Sequence, residues 1–125
     1  MQASGCRLQD NRRSGAAAGS GATASLKQCT SGSYRSTQAT GAESGGKGTC
    51  IDMLSCNLHR NSSCGVMAYS NAVVTSRGCV SDSNQIGYYL LSEAVVKLTS
   101  CQSRGETAYS EQGGTVTRTP DCVPP

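Results

Sequence analysis

The sequence predicts an α+β fold, a small antiparallel sheet packed with one main amphipathic helix and stapled by four disulfides. Three observations carry that expectation. Eight cysteines, Cys6, Cys29, Cys50, Cys56, Cys64, Cys79, Cys101 and Cys122, are spread along 125 residues with no CxxC pair. Apolar residues between about 83 and 103 recur at helical spacing, and apolar, partly alternating runs between 50 and 76 suit strands.

The cysteines read as disulfide partners because metal fingers and redox motifs need two sulfurs two or three residues apart. Four bridges imply an oxidising compartment and a secreted, extracellular protein. The large apolar content is low, with no Phe, no Trp and five tyrosines. Cross-links worth roughly 2 to 4 kcal/mol each are therefore expected to supplement a marginal core. At 8 of 125 residues, cysteine stays below the roughly 8 to 10% of a pure disulfide scaffold, so ordinary secondary structure should coexist with the staples.

The length fits a single domain over 1–125. Residues 14–25 and 36–48 are small, polar and aperiodic, and read as flexible Gly/Ser/Ala-rich loops. Cys50–Cys56, Cys64–Tyr69 and Ala72–Ser76 are strand candidates. The helix over Ser83–Ser103 places Ile86, Leu90, Ala94, Leu98 and Cys101 on one face. Asp82 or Ser83 would cap it, Lys97 and Arg104 would suit its C-terminal dipole, and Gly105 would end it. After it, Thr107–Glu111 and Thr115–Thr119 around Gly113-Gly114 read as a hairpin or two short strands. No internal repeat of useful length is apparent.

Net charge is +3, with seven Lys/Arg against three Asp/Glu in residues 1–60 and four against five in 61–125. Scattered basic residues such as Arg7, Lys27 and Arg35 read as solvated, so no nucleic-acid role is expected. No apolar run reaches membrane-span length. Met1–Gly5 lacks the features of a signal peptide, so a secreted chain is expected to start near Gln2 in its mature form.

Catalytic, cofactor and metal sites are not expected. His59 is the sole histidine and reads as an exposed loop residue, and Asp52 and Glu93 read as surface or capping groups. Asn61-Ser62-Ser63 matches the N-glycosylation pattern. Arg12-Arg13 has the form of a dibasic processing site, although a solvated pair in a loop is the favoured reading. Tyr88 and Tyr89 would diverge on a helix, leaving one of them partly exposed as a candidate interface residue or, on the favoured reading, at the core edge.

A strand ending at Cys79, a helix closing at Cys101, the Gly113-Gly114 pair, a Thr/Val strand and a last cysteine at Cys122 together resemble the small cysteine-stapled α/β sandwiches of virus-encoded fungal killer toxins and related fungal effectors. The resemblance covers residues 64–122. It implies a secreted, monomeric, non-enzymatic toxin or effector that binds an extracellular protein or a cell-surface or cell-wall component. Arg77-Gly78-Cys79 is similar to a stretch of three-finger extracellular domains, a lower-ranked alternative that would imply a receptor-binding module. A structural or adhesive secreted protein would use the Ser/Gly/Thr/Ala bias directly, and a hydrolase ranks last.

Overall fold

The computed structural model describes residues 2–9, 14–19, 21–32, 38–104 and 107–118. The chain winds through successive coils of three strands each. The first coil holds β1 (Gln2–Ser4), β2 (Arg7–Gln9) and β3 (Ser14–Gly19), and the second holds β4 (Thr23–Lys27), β5 (Thr30–Gly32) and β6 (Thr40–Gly45). The third holds β7 (Cys50–Leu54), β8 (Asn57–His59) and β9 (Cys64–Tyr69). The fourth holds β10 (Val73–Arg77), β11 (Val80–Asp82) and β12 (Ile86–Leu91). The fifth holds β13 (Val95–Thr99), β14 (Gln102–Arg104) and β15 (Thr107–Gln112), and β16 (Thr115–Arg118) continues into a further turn.

Each strand pairs in parallel with its counterpart one coil away, giving sheets of order β1-β4-β7-β10-β13-β16, β2-β5-β8-β11-β14 and β3-β6-β9-β12-β15. The molecule is a three-sided β-solenoid. It is stabilised by intercoil hydrogen bonds and by columns of like-placed side chains about 4.8 Å apart.

The interior is narrow, which explains a composition rich in Ala, Ser and Gly and empty of Phe and Trp. Ala24, Ile51, Val74 and Val96 form one inward column of the first sheet, and Leu26, Met53, Ser76 and Leu98 form the next. Volume is balanced within a coil. Where the third sheet contributes Ala42 or Val66, the facing position holds Leu26 or Met53; where it contributes Tyr88, that position shrinks to Ser76. The Tyr88 hydroxyl lies 3.3 Å from Ser76 Oγ, so this buried phenol is also hydrogen-bonded.

The corners repeat as strictly as the strands. Between the first and second strands of each coil stands one residue in the left-handed region, Gly5, Gln28, Ser55, Gly78 or Ser100, followed by a cysteine. At the second corner Gln38, Asn61 and Asn84 stack as a buried amide ladder, with Gln38 Nε2 donating to Asn61 Oδ1 at 2.9 Å and Asn61 Nδ2 donating to Asn84 Oδ1 at 2.7 Å. A column of glycines makes room for it. A Cβ at Gly41 would meet Gly65 O at 2.6 Å and Asn61 Nδ2 at 3.1 Å, and one at Gly65 would meet Ser81 Oγ at 2.6 Å and Gly87 O at 2.9 Å.

This architecture overturns the expected α+β fold, because no helix occurs among the described residues. The segment 83–103 contains β12, β13 and most of β14. Leu90, Ala94, Leu98 and Cys101 do lie on the buried side, but a spacing of four is also two strand periods, so alternating strands reproduce the stripe. Ser83 takes φ 58° at a corner rather than capping a helix, and Lys97 is exposed on the outer face of the first sheet.

The strands expected over 50–76 are present, but parallel rather than antiparallel. The segments read as loops at 14–25 and 36–48 contain β3, β6 and the start of β4, because small residues suit the narrow interior. Of the hairpin or two short strands read after the helix, the two strands are found, as β15 and β16, but they meet at a corner and pair with β12 and β13 one coil earlier rather than with each other. Nor do disulfides staple the described residues: no two of Cys6, Cys29, Cys50, Cys56, Cys64, Cys79 and Cys101 are bridged, and the coils are joined by backbone hydrogen bonds instead. Cys122, Arg12, Arg13 and Arg35 lie outside the described residues.

Candidate functional site

The outer face of the third sheet is the richest in recognition chemistry. Glu43, Met67 and Tyr89 occupy one register row on β6, β9 and β12. Tyr69 lies two residues beyond Met67 on the same face, and Leu91 two beyond Tyr89. Met67, Tyr69, Ile86, Tyr89 and Leu91 are each half-buried. The Tyr69 ring extends across Gly45 in the neighbouring coil, so closely that a Cβ at Gly45 would fall among the ring atoms. Gly45 thus lets an aromatic side chain lie along the sheet instead of standing off it. Glu43, only 7% exposed, accepts a hydrogen bond from Ser14 Oγ at 3.5 Å beside this patch.

Of the tyrosine pair singled out in the sequence, Tyr88 turns inward and is 1% exposed, whereas Tyr89 is outward and available. Adjacent residues of a strand point to opposite faces, so the divergence expected of a helix is complete here.

His59 lies on β8, not in a loop. Its register neighbours are Gly32 on one side and Asp82 on the other, with Arg104 next to Asp82. Burial and the nearby Arg60 charge hold the imidazole below its ordinary pKa, and Asp82 opposes them. Asp82 accepts a hydrogen bond from Ser83 Oγ at 2.8 Å. Asp52 pairs with Arg77 at 3.7 Å on the outer face of the first sheet, with both side chains about half exposed, an arrangement of little energetic weight. Glu93 is exposed at the third corner with φ 65°.

The candidate glycan acceptor Asn61 is 2% exposed, and its Nδ2 is committed to the amide ladder inside the solenoid. The tripeptide matches by composition because Asn, Ser and small residues recur at this corner for packing reasons.

The cysteines that end each first corner were visible in the sequence, but their meaning was not. Cys29, Cys56, Cys79 and Cys101 form a buried file, with Cys6 half-buried in the first coil. Each sulfur of the file donates to the carbonyl two residues earlier, at 3.4 Å for Cys29, 3.5 Å for Cys56, 3.4 Å for Cys79 and 3.4 Å for Cys101. Cys50 and Cys64 stand apart. Cys50 is half-buried on the outer face of the first sheet, and Cys64 Sγ lies 3.6 Å from Thr40 Oγ1, its thiol pushed up by burial.

Comparison with protein-family models, with curated proteins and with solved structures yields no match for this chain. Among the described residues, no helix is long and apolar enough to cross a membrane.

Proposed function

We propose that the chain is a non-enzymatic adhesive module that holds an extended cell-wall or cell-surface polysaccharide along the outer face of the third sheet. The observation that carries this reading is the Tyr69 ring lying across Gly45, with Tyr89, Met67 and Leu91 around it and the Glu43 carboxylate at its side. Sugar rings present an apolar C–H face and a rim of hydroxyls, and such ligands are held by aromatic surfaces with a few polar groups at the edge.

The solenoid adds periodicity. Outward side chains recur about every 4.8 Å along its axis, so one site per coil can follow a polymer whose units repeat. The repeated coils favour the adhesive alternative over the toxin or effector reading, which leaned on a helix-on-sheet layout.

The test is co-sedimentation with insoluble chitin, cellulose and β-1,3-glucan. Wild-type chain is expected to pellet with at least one. Tyr69→Ala should weaken that binding by roughly 30-fold, the loss of a 2 kcal/mol anchor. Lys97→Ala, on the first sheet, should leave it unchanged. Failure of the wild type to bind any of the three, or full binding by Tyr69→Ala, would overturn the proposal.

A further inference from the structure

The file of thiols at the first corner repeats once per coil, at Cys29, Cys56, Cys79 and Cys101. Cys56, Cys79 and Cys101 stand buried at the same corner of successive coils. The Cys56 backbone N–H donates to Cys79 Sγ at 3.3 Å, which fixes that sulfur between the two coils. Cys101 Sγ lies 3.2 Å from Ser76 O and Cys56 Sγ 3.4 Å from Leu26 O, each reaching back to the preceding coil.

We propose that adjacent thiols of this file, Cys56 with Cys79 in the first place, form a two-coordinate binding site for a soft monovalent d10 cation of the copper(I) class. Thiolates select such ions by softness. A file offers each ion one sulfur on either side, which suits linear coordination and does not supply the tetrahedral set that zinc takes. The spacing fits as well. A zinc–thiolate bond is about 2.3 Å, so an ion of similar size between two sulfurs spans about 4.6 Å, close to the ~4.8 Å separation of neighbouring coils.

Binding displaces the two thiol protons to solvent, and no electron is transferred. The residues just before the sulfurs, Gln28, Ser55, Gly78 and Ser100, are all exposed, so the file runs immediately inside an accessible corner.

The experiment is anaerobic titration of the full reduced chain with copper(I) held by the chromogenic chelator bicinchoninate. Wild type is expected to withdraw at least one equivalent of copper(I), Cys79→Ala to lower the apparent affinity at least tenfold, and Cys50→Ala, outside the file, to behave as wild type. Thermal unfolding of the wild type gives a reading that needs no variant: Tm should rise with copper(I) and not with zinc(II). No competition with the chelator, equal stabilisation by zinc(II), or undiminished affinity in a folded Cys79→Ala chain would each overturn the assignment.

Discussion

Asn61→Ala is expected to destabilise the chain by about 3 kcal/mol, a large share of the 5 to 15 kcal/mol that holds a typical domain together. The Asn61 amide accepts from Gln38 Nε2 at 2.9 Å and donates to Asn84 Oδ1 at 2.7 Å, with all three residues buried. Gln38 Nε2 keeps Ser31 Oγ at 3.1 Å and Asn84 Oδ1 keeps the Asn61 backbone N–H at 2.8 Å, but each loses one buried hydrogen bond, worth about 0.5 to 1.5 kcal/mol, and a cavity is left where the amide stood. Asn57→Ala, at an exposed outward position of β8, is the matched control and should cost less than about 0.5 kcal/mol. Urea unfolding of both variants measures the difference. Equal midpoints would show that the ladder carries no such weight.

Gly41→Ala is expected to cost as much or more, although alanine is the smallest possible change. The added methyl would sit 2.6 Å from the Gly65 carbonyl oxygen, part of a hydrogen-bonded strand that cannot swing aside. It would also press on Asn61 Nδ2 at 3.1 Å and Leu58 Cδ2 at 3.1 Å, so relief for the methyl disturbs the ladder beside it. Overpacking of this kind costs typically 1 to 3 kcal/mol and more where backbone must move. Gly19→Ala, whose methyl would meet only Gly45 O at 3.6 Å, should be tolerated far better. A thermal midpoint for Gly41→Ala matching that of Gly19→Ala would contradict the packing described here.

The strand candidates at 50–56, 64–69 and 72–76 were legible because β-branched and apolar residues alternate there, and their inward residues Ile51, Met53, Val66, Val74 and Ser76 are all buried. Their parallel pairing was not legible, since direction depends on what lies one coil away. The coil repeat is hidden by its irregular length. Successive corner cysteines at 6, 29, 56, 79 and 101 are separated by 23, 27, 23 and 22 residues, the long second coil carrying extra residues between β5 and β6.

A feature that recurs in each coil, a left-handed residue followed by cysteine, reads in the sequence as disulfide chemistry because eight cysteines in a short chain usually mean that. Nothing in the sequence marks Tyr69, the end of a strand candidate, for a recognition role, because its partner Gly45 is 24 residues away and only the coil brings them together. Tyr89, by contrast, could be singled out from its place beside Tyr88.

The most direct test of the solenoid is a NOESY spectrum of the isotope-labelled chain. Columns stacked in register predict methyl contacts linking Ala24 to Ile51, Ile51 to Val74 and Val74 to Val96, each between residues more than 20 positions apart. Helical contacts between residues three apart across 83–103, with those long-range methyl contacts missing, would contradict the fold and the sites built upon it.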